Sequence, residues 1–347
     1  MNIFKQLGSL GHEQLVFSAD PTCGYRGIIA VHSTALGPAV GGTRWWQYDS
    51  DESAIFDALR LSRGMSFKNA LARLPLGGGK SIIVGSAGPV DRAAILRAHG
   101  RFIERLGGVY ITAEDVGTSL ADMEFIAETT KWVAGRASGA GDPSPHTARG
   151  VYRAMQAAAK FRWGSDDLAG KRVAIQGLGN VGFHLAKQLV AVGASLFVTD
   201  IDPNRVARAV TECGATAVAP DRIHAVEADL YAPCALGAIL NDATIPELNV
   251  AAVVGGANNQ LLEPRHGVAL EQRGILYVPD YVANAGGVSY GGAVEILKLP
   301  QDEAARRVDA IYETTLMVLD RAKAERIPSS DAADRIAEAR IRTRTFD

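Results

Sequence analysis

The stretch MSFKNALARLPLGGGKSIIVG, residues 65–85, holds two lysines that could move protons. Lys68 lies in a helix-compatible run, and Lys80 follows Gly77, Gly78 and Gly79 and opens the apolar, β-branched run of a buried strand. A turn through those glycines folds the two ammonium groups towards each other and lets a small substrate approach the backbone. Neighbouring cations disfavour each other's charge, and an apolar pocket disfavours it further, so one lysine is expected to lose its proton near neutral pH and act as a base. The plainer reading is a pair of solvated surface lysines. GVYITAEDVGTS, residues 108–119, runs from a strand into Glu114 and Asp115, and a carboxylate at a strand end is held by rigid backbone while its side chain reaches out. Ser119 and Asp122 could equally begin a helix there, so Asp115 gains weight as a partner of the lysines.

A second constellation binds rather than reacts. GLGNVG (Gly177, Gly179, Gly182) follows a strand at 171–176 and opens a helix with Leu185 and Leu189 on one face; a second strand at 194–199 ends in Asp200. This is the full dinucleotide fingerprint: turn, close approach to pyrophosphate, tight helix packing, and an acid for the adenosine ribose. Helix N-terminal amides hold the phosphate charge. A carboxylate at position 200 repels the extra phosphate of NADP, so NAD is the expected cofactor, with Arg205 nearby as the opposing sign.

The elements that must position these groups follow from periodicity. Strands are expected at 14–19 and 25–33, separated by the turn DPTCG, and at 36–46, where Gly41 and Gly42 interrupt the pattern and imply close backbone packing. A helix capped by Asp49 is expected over 49–60, with Ile55 and Leu59 on one face, and another over 93–106. GRASGAGDPSPHTARG, residues 135–150, is rich in glycine, serine and proline and predicts a hinge, followed by a helix over 150–161. Strands at 228–231, 251–254 and 275–278 each lead into small and amide residues, which in an open parallel sheet fall where ligands bind; Asn258, Asn259 and Asn284 can reach a ligand from there, or serve as turn formers. Long helices are expected over 302–324 and 331–342.

Composition sets the bounds. A chain of 347 residues with 47% hydrophobic and 21% charged residues fits two soluble globular domains. A net charge of -2 gives no case for nucleic acid or a membrane surface as partner. Three cysteines without CxxC spacing and scattered histidines argue against a disulfide framework or a metal site, and the N-terminus shows no leader pattern. A cytoplasmic location is expected.

The motifs LGPAVGGTRWWQY, DALRLSRGMSFKNALARLPLGGGKS, ITAEDVGT, GDPSPHTARGVYRAM, VAIQGLGNVG, YAPCALG, GGANNQL and ILYVPDYVANAGGV, in this order over nearly the whole chain, resemble the leucine, phenylalanine and valine dehydrogenases, relatives of glutamate dehydrogenase, and the leucine-type members most. The resemblance implies an α/β protein of two domains with a cleft between them: a catalytic and oligomerisation domain over 1–135, to which a helix at about 328–347 returns, and a Rossmann-type doubly wound parallel sheet over 136–327. It implies that Lys68 pairs with the substrate carboxylate, Lys80 is the general base, and Asp115 supports proton transfer. Gly41, Gly42, Ala113, Asn259, Val288 and Gly291 are then substrate-side positions. Thr147, Gly177, Gly179, Asn180, Val181, Gly182, Asp200, Ala232, Cys234, Asn259 and Asn284 are dinucleotide-side positions.

The implied reaction is NAD-dependent, reversible deamination of apolar L-amino acids to 2-oxo acids and ammonia by a homo-oligomer, leucine and other branched-chain substrates first. After VANAGGV the chain reads SYGGAVEIL, departing from the usual leucine-type continuation, so phenylalanine or tryptophan is the alternative: Gly291 enlarges the pocket unless Tyr290 fills it. Two remoter readings are a catalytically silent NAD-binding regulator, which has no need of the lysine set, and a hydroxy acid dehydrogenase, which needs a histidine base for which only His146 is near a motif.

Overall fold

The central strands of the N-terminal half hide one set of alternate residues against one helix layer and the other set against a second layer. In the computed structural model, which describes residues 2–86, 91–136 and 139–346, this half runs α1 (Ile3–Leu10), β1 (Gln14–Asp20), β2 (Tyr25–Ser33), β3 (Ala39–Trp46), α2 (Asp51–Leu71), β4 (Gly77–Val84), α3 (Arg92–Glu104), β5 (Tyr110–Glu114) and α4 (Leu120–Ala127). Its mixed sheet has the order β1-β2-β4-β3-β5, with β3 parallel to β4 and β5. Ile28, Ala30 and Ile82 pack with Ala54, Ile55, Ala58 and Leu59 of α2, while Ile29, Val31 and Ile83 pack with Leu96, Ala98 and Ile103 of α3 and Met123 and Ile126 of α4. Since strand residues alternate between faces, Lys80 shares the α2 face with Ile82, and Ser81 shares the α3 face with Ile83.

Two expectations are corrected here. The helix expected over 49–60 is capped by Ser50, whose side chain accepts from Ser53 N–H, and runs unbroken to Leu71, so Lys68 sits in its last turn. Gly77, Gly78 and Gly79 are not a turn but the first residues of β4; the turn precedes them, at Ala72–Pro75, where Arg73 takes φ 54°. Glycine is required in this strand because neighbours crowd it: a Cβ would lie 2.0 Å from Ser33 O at Gly77, 2.0 Å from Ser66 N at Gly78 and 2.6 Å from the Tyr110 ring at Gly79.

The second half is parallel throughout. It runs α5 (Ser144–Trp163), β6 (Arg172–Gln176), α6 (Asn180–Ala191), β7 (Ser195–Thr199), α7 (Pro203–Cys213), β8 (Thr216–Ala217), β9 (Leu230–Pro233), β10 (Ala252–Val253), α8 (Arg265–Gln272), β11 (Leu276–Tyr277), α9 (Asp280–Ala283), α10 (Gly286–Gly291), α11 (Gln301–Asp309), α12 (Ile311–Glu325) and α13 (Ser329–Thr343). The sheet order is β11-β10-β9-β6-β7-β8. The chain fills β6, β7 and β8 to one side and then returns beside β6 with β9, which makes the β6/β9 gap the switch point where such sheets bind ligands. The expected α/β class, with a Rossmann-type parallel sheet, holds.

The hinge expected over 135–150 lies partly outside the described residues, at 137–138. Its second part is helix: α5 starts at Ser144, with proline in its first turn, where a missing N–H costs nothing. The expected helix over 302–324 is broken at Ala310 into α11 and α12. The chain divides into two units, Met1–Gly141 with Gly291–Pro300 and Ala337–Asp347, and Asp142–Tyr290 with Gln301–Ile336. The sequence-based boundaries differ from these in three ways: the first unit runs to Gly141 and not to 135, and two further segments are divided differently. Gly291–Pro300 joins the first unit, where Glu295 accepts from the N–H groups of Gly135 (2.7 Å) and Ala140 (2.8 Å). Only the second half of the last helix joins it, where buried Arg340 donates to the carbonyl oxygen of Ala70 at 3.1 Å; the first half stays with the second unit through Ser329 Oγ on Tyr277 O and Tyr281 on Asp334.

Candidate active site

Lys80 is a buried amine of the first unit. Its residue is only 5% exposed, and its Nζ lies 2.8 Å from Oδ2 of Asp115, the residue that follows β5. By alternation Ala113, half-buried, points to the same face as Asp115. Asp115 is fixed through its own backbone: its N–H donates to Thr118 Oγ1 at 2.9 Å, and that hydroxyl also lies 2.9 Å from Thr43 O. Ser119 and Asp122 do form a capping box at the start of α4, so the carboxylate with the lysine and the helix cap are separate features of one loop.

The cation that shares Asp115 with Lys80 is Arg44, a residue sequence reasoning passed over. Arg44 Nε donates to the same Oδ2 at 3.0 Å, and its Nη1 reaches Asp57 Oδ2 at 2.8 Å, where Tyr48 also donates at 2.7 Å. Burial pushes the Lys80 ammonium below its ordinary range against the pull of Asp115, and Arg44 adds to the lowering. Burial works against the Asp115 carboxylate, but Lys80 and Arg44 together hold it below the usual value. The signal for Arg44 was present in the sequence as an arginine two residues beyond Gly42, on a strand, and thus on one face with it. Lys68 is half-buried in α2.

Backbone geometry beside this trio is irregular. The β3–β4 ladder pairs Ala39 with Gly77 and Val40 with Gly78, then resumes at Thr43 with Ser81, so Gly41 and Gly42 lie in a gap in the ladder alongside Gly79 and Lys80. A Cβ on Gly41 would come 1.8 Å from Gly79 O, and one on Gly42 would come 2.4 Å from Glu114 O. Tyr110 OH donates to Gly41 O at 2.5 Å from the α3 face. On that face Thr43 and Ser81 each place a hydroxyl 3.0 Å from Nε2 of buried His99, and Tyr25 OH lies 2.8 Å from its Nδ1. Burial pushes His99 down to about 3, so its ring is neutral and the network carries no charge.

In the second unit the glycine loop follows β6. Gly177 has φ +96°, a Cβ on Gly182 would lie 1.9 Å from Gly177 O, and Gly179 caps α6 with only the Arg205 guanidinium near its open side. Exposed Asn180 and half-buried Val181 form the first turn of α6. Asp200, with a side chain 5% exposed, accepts from Leu178 N–H at 2.6 Å and Asp202 N–H at 2.9 Å, and Arg205 stands 3.7 Å away. Burial opposes its charge, yet the two N–H groups keep the carboxyl below its usual value.

Across the switch point, Ala232 is fully buried inside β9, backbone and side chain alike; Cys234, beyond the strand end, has its Cβ 3.3 Å from where a Cβ on Gly182 would lie. Beyond β10, Asn259 adopts φ 52° and donates its N–H to Asp280 Oδ2 at 2.7 Å. Asn284 Nδ2 ties this loop, donating to Asn258 Oδ1 at 2.7 Å and Gly256 O at 3.2 Å. Its Oδ1 is buried without a partner, an acceptor left over for a ligand donor. Thr147 Oγ1 donates to Pro143 O at 3.0 Å, and a Cβ on Gly287 would lie 2.7 Å from that hydroxyl. In α10 Val288 is half-buried, and a Cβ on Gly291 would meet nothing within 4 Å. Tyr290 lies flat on His146, with centroids 3.5 Å apart and planes 10° apart, so its ring is taken up by α5.

Among the described residues there is no group of three or more metal-ligating side chains and no helix long and apolar enough to cross a membrane. Residues 12–132 match the profile of the Glu/Leu/Phe/Val dehydrogenase dimerisation domain, and residues 139–206 and 198–303 match that of Glutamate/Leucine/Phenylalanine/Valine dehydrogenase. The chain is 51% identical to leucine dehydrogenase of Geobacillus stearothermophilus, over 99% of this chain and 94% of that one, and 48% identical to valine dehydrogenase of Streptomyces coelicolor, over 95% and 92%. The crystal structure of L-tryptophan dehydrogenase from Nostoc punctiforme superposes with a TM-score of 0.88 at 41% identity, covering 98% of both chains. The chain therefore belongs to the Glu/Leu/Phe/Val family of amino-acid dehydrogenases.

Proposed function

We propose that this protein catalyses the NAD-dependent, reversible oxidative deamination of apolar L-amino acids to 2-oxo acids and ammonia, with leucine and other branched-chain substrates favoured. The observation that carries the reading is Lys80: a buried amine on a single carboxylate oxygen that Arg44 already occupies. Burial, with Arg44 beside it, loosens its hold on the proton, which is the direction a general base requires. In the deamination direction Lys80 takes a proton from the water that adds at the α-carbon after the amine has become an imine, and returns one to the departing ammonia. Asp115 steadies Lys80 in its charged form between these steps. Lys68 holds the substrate carboxylate, and the backbone of Gly41 and Gly42, packed against Gly79 and Glu114, lines the substrate side.

Bound NAD supplies the hydride acceptor. The glycine loop, the open side of Gly179 and the leftover acceptor on Asn284 fit a dinucleotide. Asp200 favours NAD over its 2′-phosphorylated form by charge. Replacing Asp200 by asparagine removes that repulsion and weakens the loop, so NAD affinity is expected to fall about tenfold and the NAD/NADP ratio of kcat/KM to shrink, as read by titration and initial rates.

A second reading, a preference for phenylalanine or tryptophan, is favoured by the open position at Gly291 and by Tyr290 being stacked away on His146. Rates with leucine, valine, phenylalanine and tryptophan separate the two. Leucine is expected to lead, and an aromatic substrate ahead by more than about tenfold in kcat/KM, roughly 1.4 kcal/mol, would overturn that preference. Gly291→Val is expected to cost bulky substrates about tenfold while sparing valine, since pocket volume discriminates by about 1–3 kcal/mol per methylene. A cytoplasmic homo-oligomer completes the proposal; the name of the N-terminal profile, a dimerisation domain, supports the oligomer, and a mass measurement under native conditions tests it.

A further inference from the structure

We propose that Arg44 is a positioning residue for this chemistry: it occupies the Asp115 oxygen that Lys80 uses and thereby sets how firmly Lys80 keeps its proton. The inference rests on Lys80 being the base. Both cations lie within 3.0 Å of one oxygen, Asp115 Oδ2. The arrangement is held from the far end, because Asp57 on α2 takes Arg44 Nη1 at 2.8 Å and is itself fixed by Tyr48 OH at 2.7 Å and Arg60 at 3.0 Å. Arg44 is therefore a fixed charge with two anchors, its side chain 20% exposed. A guanidinium does not titrate in the working range, so its repulsion of the Lys80 ammonium is constant with pH.

The elements packed against Lys80 carry further charges: Asp51, Glu52 and Arg60 on α2 and Arg26 on β2 are exposed, and Arg63 on α2 is half-buried. Asp115 and Asp57 favour its charged form. Lys68 on α2 is a further cation and Glu114 on β5 a further carboxylate. His32 on β2 and His99 on α3 are pushed down to about 4 and about 3 by burial, and Tyr110 up to about 12, so these three stay neutral across the assay range. Among these groups Arg44 and Asp57 act on Lys80 in opposite senses; Arg44 contacts Asp115 directly, whereas Asp57 reaches it only through Arg44.

The test is the pH dependence of kcat/KM for deamination. Its acid limb reports the lysine that must be neutral. Arg44→Met is expected to move that limb to higher pH by about one unit, because loss of a neighbouring cation lets Lys80 hold its proton longer. Near neutral pH this lowers kcat/KM by about tenfold, while KM for the amino acid measured well above the limb is unchanged. Arg44→Lys, which keeps the cation, is expected to restore most of the original position. Asp57→Asn is expected to move the limb the opposite way, to lower pH, and this variant stands alone as a test where Arg44→Met is poorly folded. In the amination direction the alkaline limb is expected to shift with the same signs. A loss of plateau rate with both limbs unmoved, or shifts of the same sign in both variants, overturns the role of Arg44. Full turnover in Lys80→Ala would instead remove the base itself, so the two failures are distinguishable.

Discussion

Lys80→Ala is expected to lower kcat/KM for deamination by about 10²–10⁴-fold, the range a positioned general base contributes. NAD affinity is expected to stay within about twofold, because every dinucleotide-side feature described above lies in the second unit. The fold should survive the change, since Asp115 keeps Arg44 as counter-ion at 3.0 Å when the lysine is gone and is not left as an unpaired buried charge. Single-turnover rates and a dye-free NAD titration on the same preparation check both halves of the expectation. Retained full turnover would remove Lys80 from the mechanism.

Asp115→Asn is expected to act on rate and stability together. Without its carboxylate the Lys80 ammonium loses the strongest influence favouring it, so the amine becomes neutral at lower pH and a weaker base; kcat/KM is expected to fall about 10²-fold and the acid limb to move down. Two cations then face a neutral amide in a buried place, which costs about 3–5 kcal/mol unless Lys80 sheds its proton. The sign of the pH dependence follows from the lowered folded value of Asp115 relative to 3.8. Its contribution to stability is present above 3.8 and is lost as pH falls through the lower folded value. Urea unfolding should therefore show a gap between wild type and variant that is wide at neutral pH and narrows in acid below 3.8.

The nucleotide loop was legible in the sequence because its chemistry is local. Strand, glycines, helix and Asp200 lie within 30 residues, and each glycine's duty follows from its immediate neighbours. The Lys80 segment was legible in type but not in shape. Three glycines before a lysine predict a turn on local grounds, whereas in the structure they are strand residues emptied of side chains by Ser33, Ser66 and Tyr110, which approach from three other elements. Arg44 was missed for the same reason. Its meaning depends on Asp57 and Asp115, 13 and 71 residues away, meeting at one strand end, and no periodicity encodes that meeting. The membership of Gly291–Pro300 in the first unit likewise depends on Glu295 reaching Gly135 across 160 residues.

The most direct measurement of the central claim, that a buried lysine base serves ammonia-linked redox chemistry on an apolar amino acid, is NADH oxidation with 4-methyl-2-oxopentanoate in the presence and absence of ammonium. Oxidation that requires ammonium, yields leucine and is lost in Lys80→Ala is the expected result. Oxidation without ammonium, or none with any apolar 2-oxo acid, would contradict it.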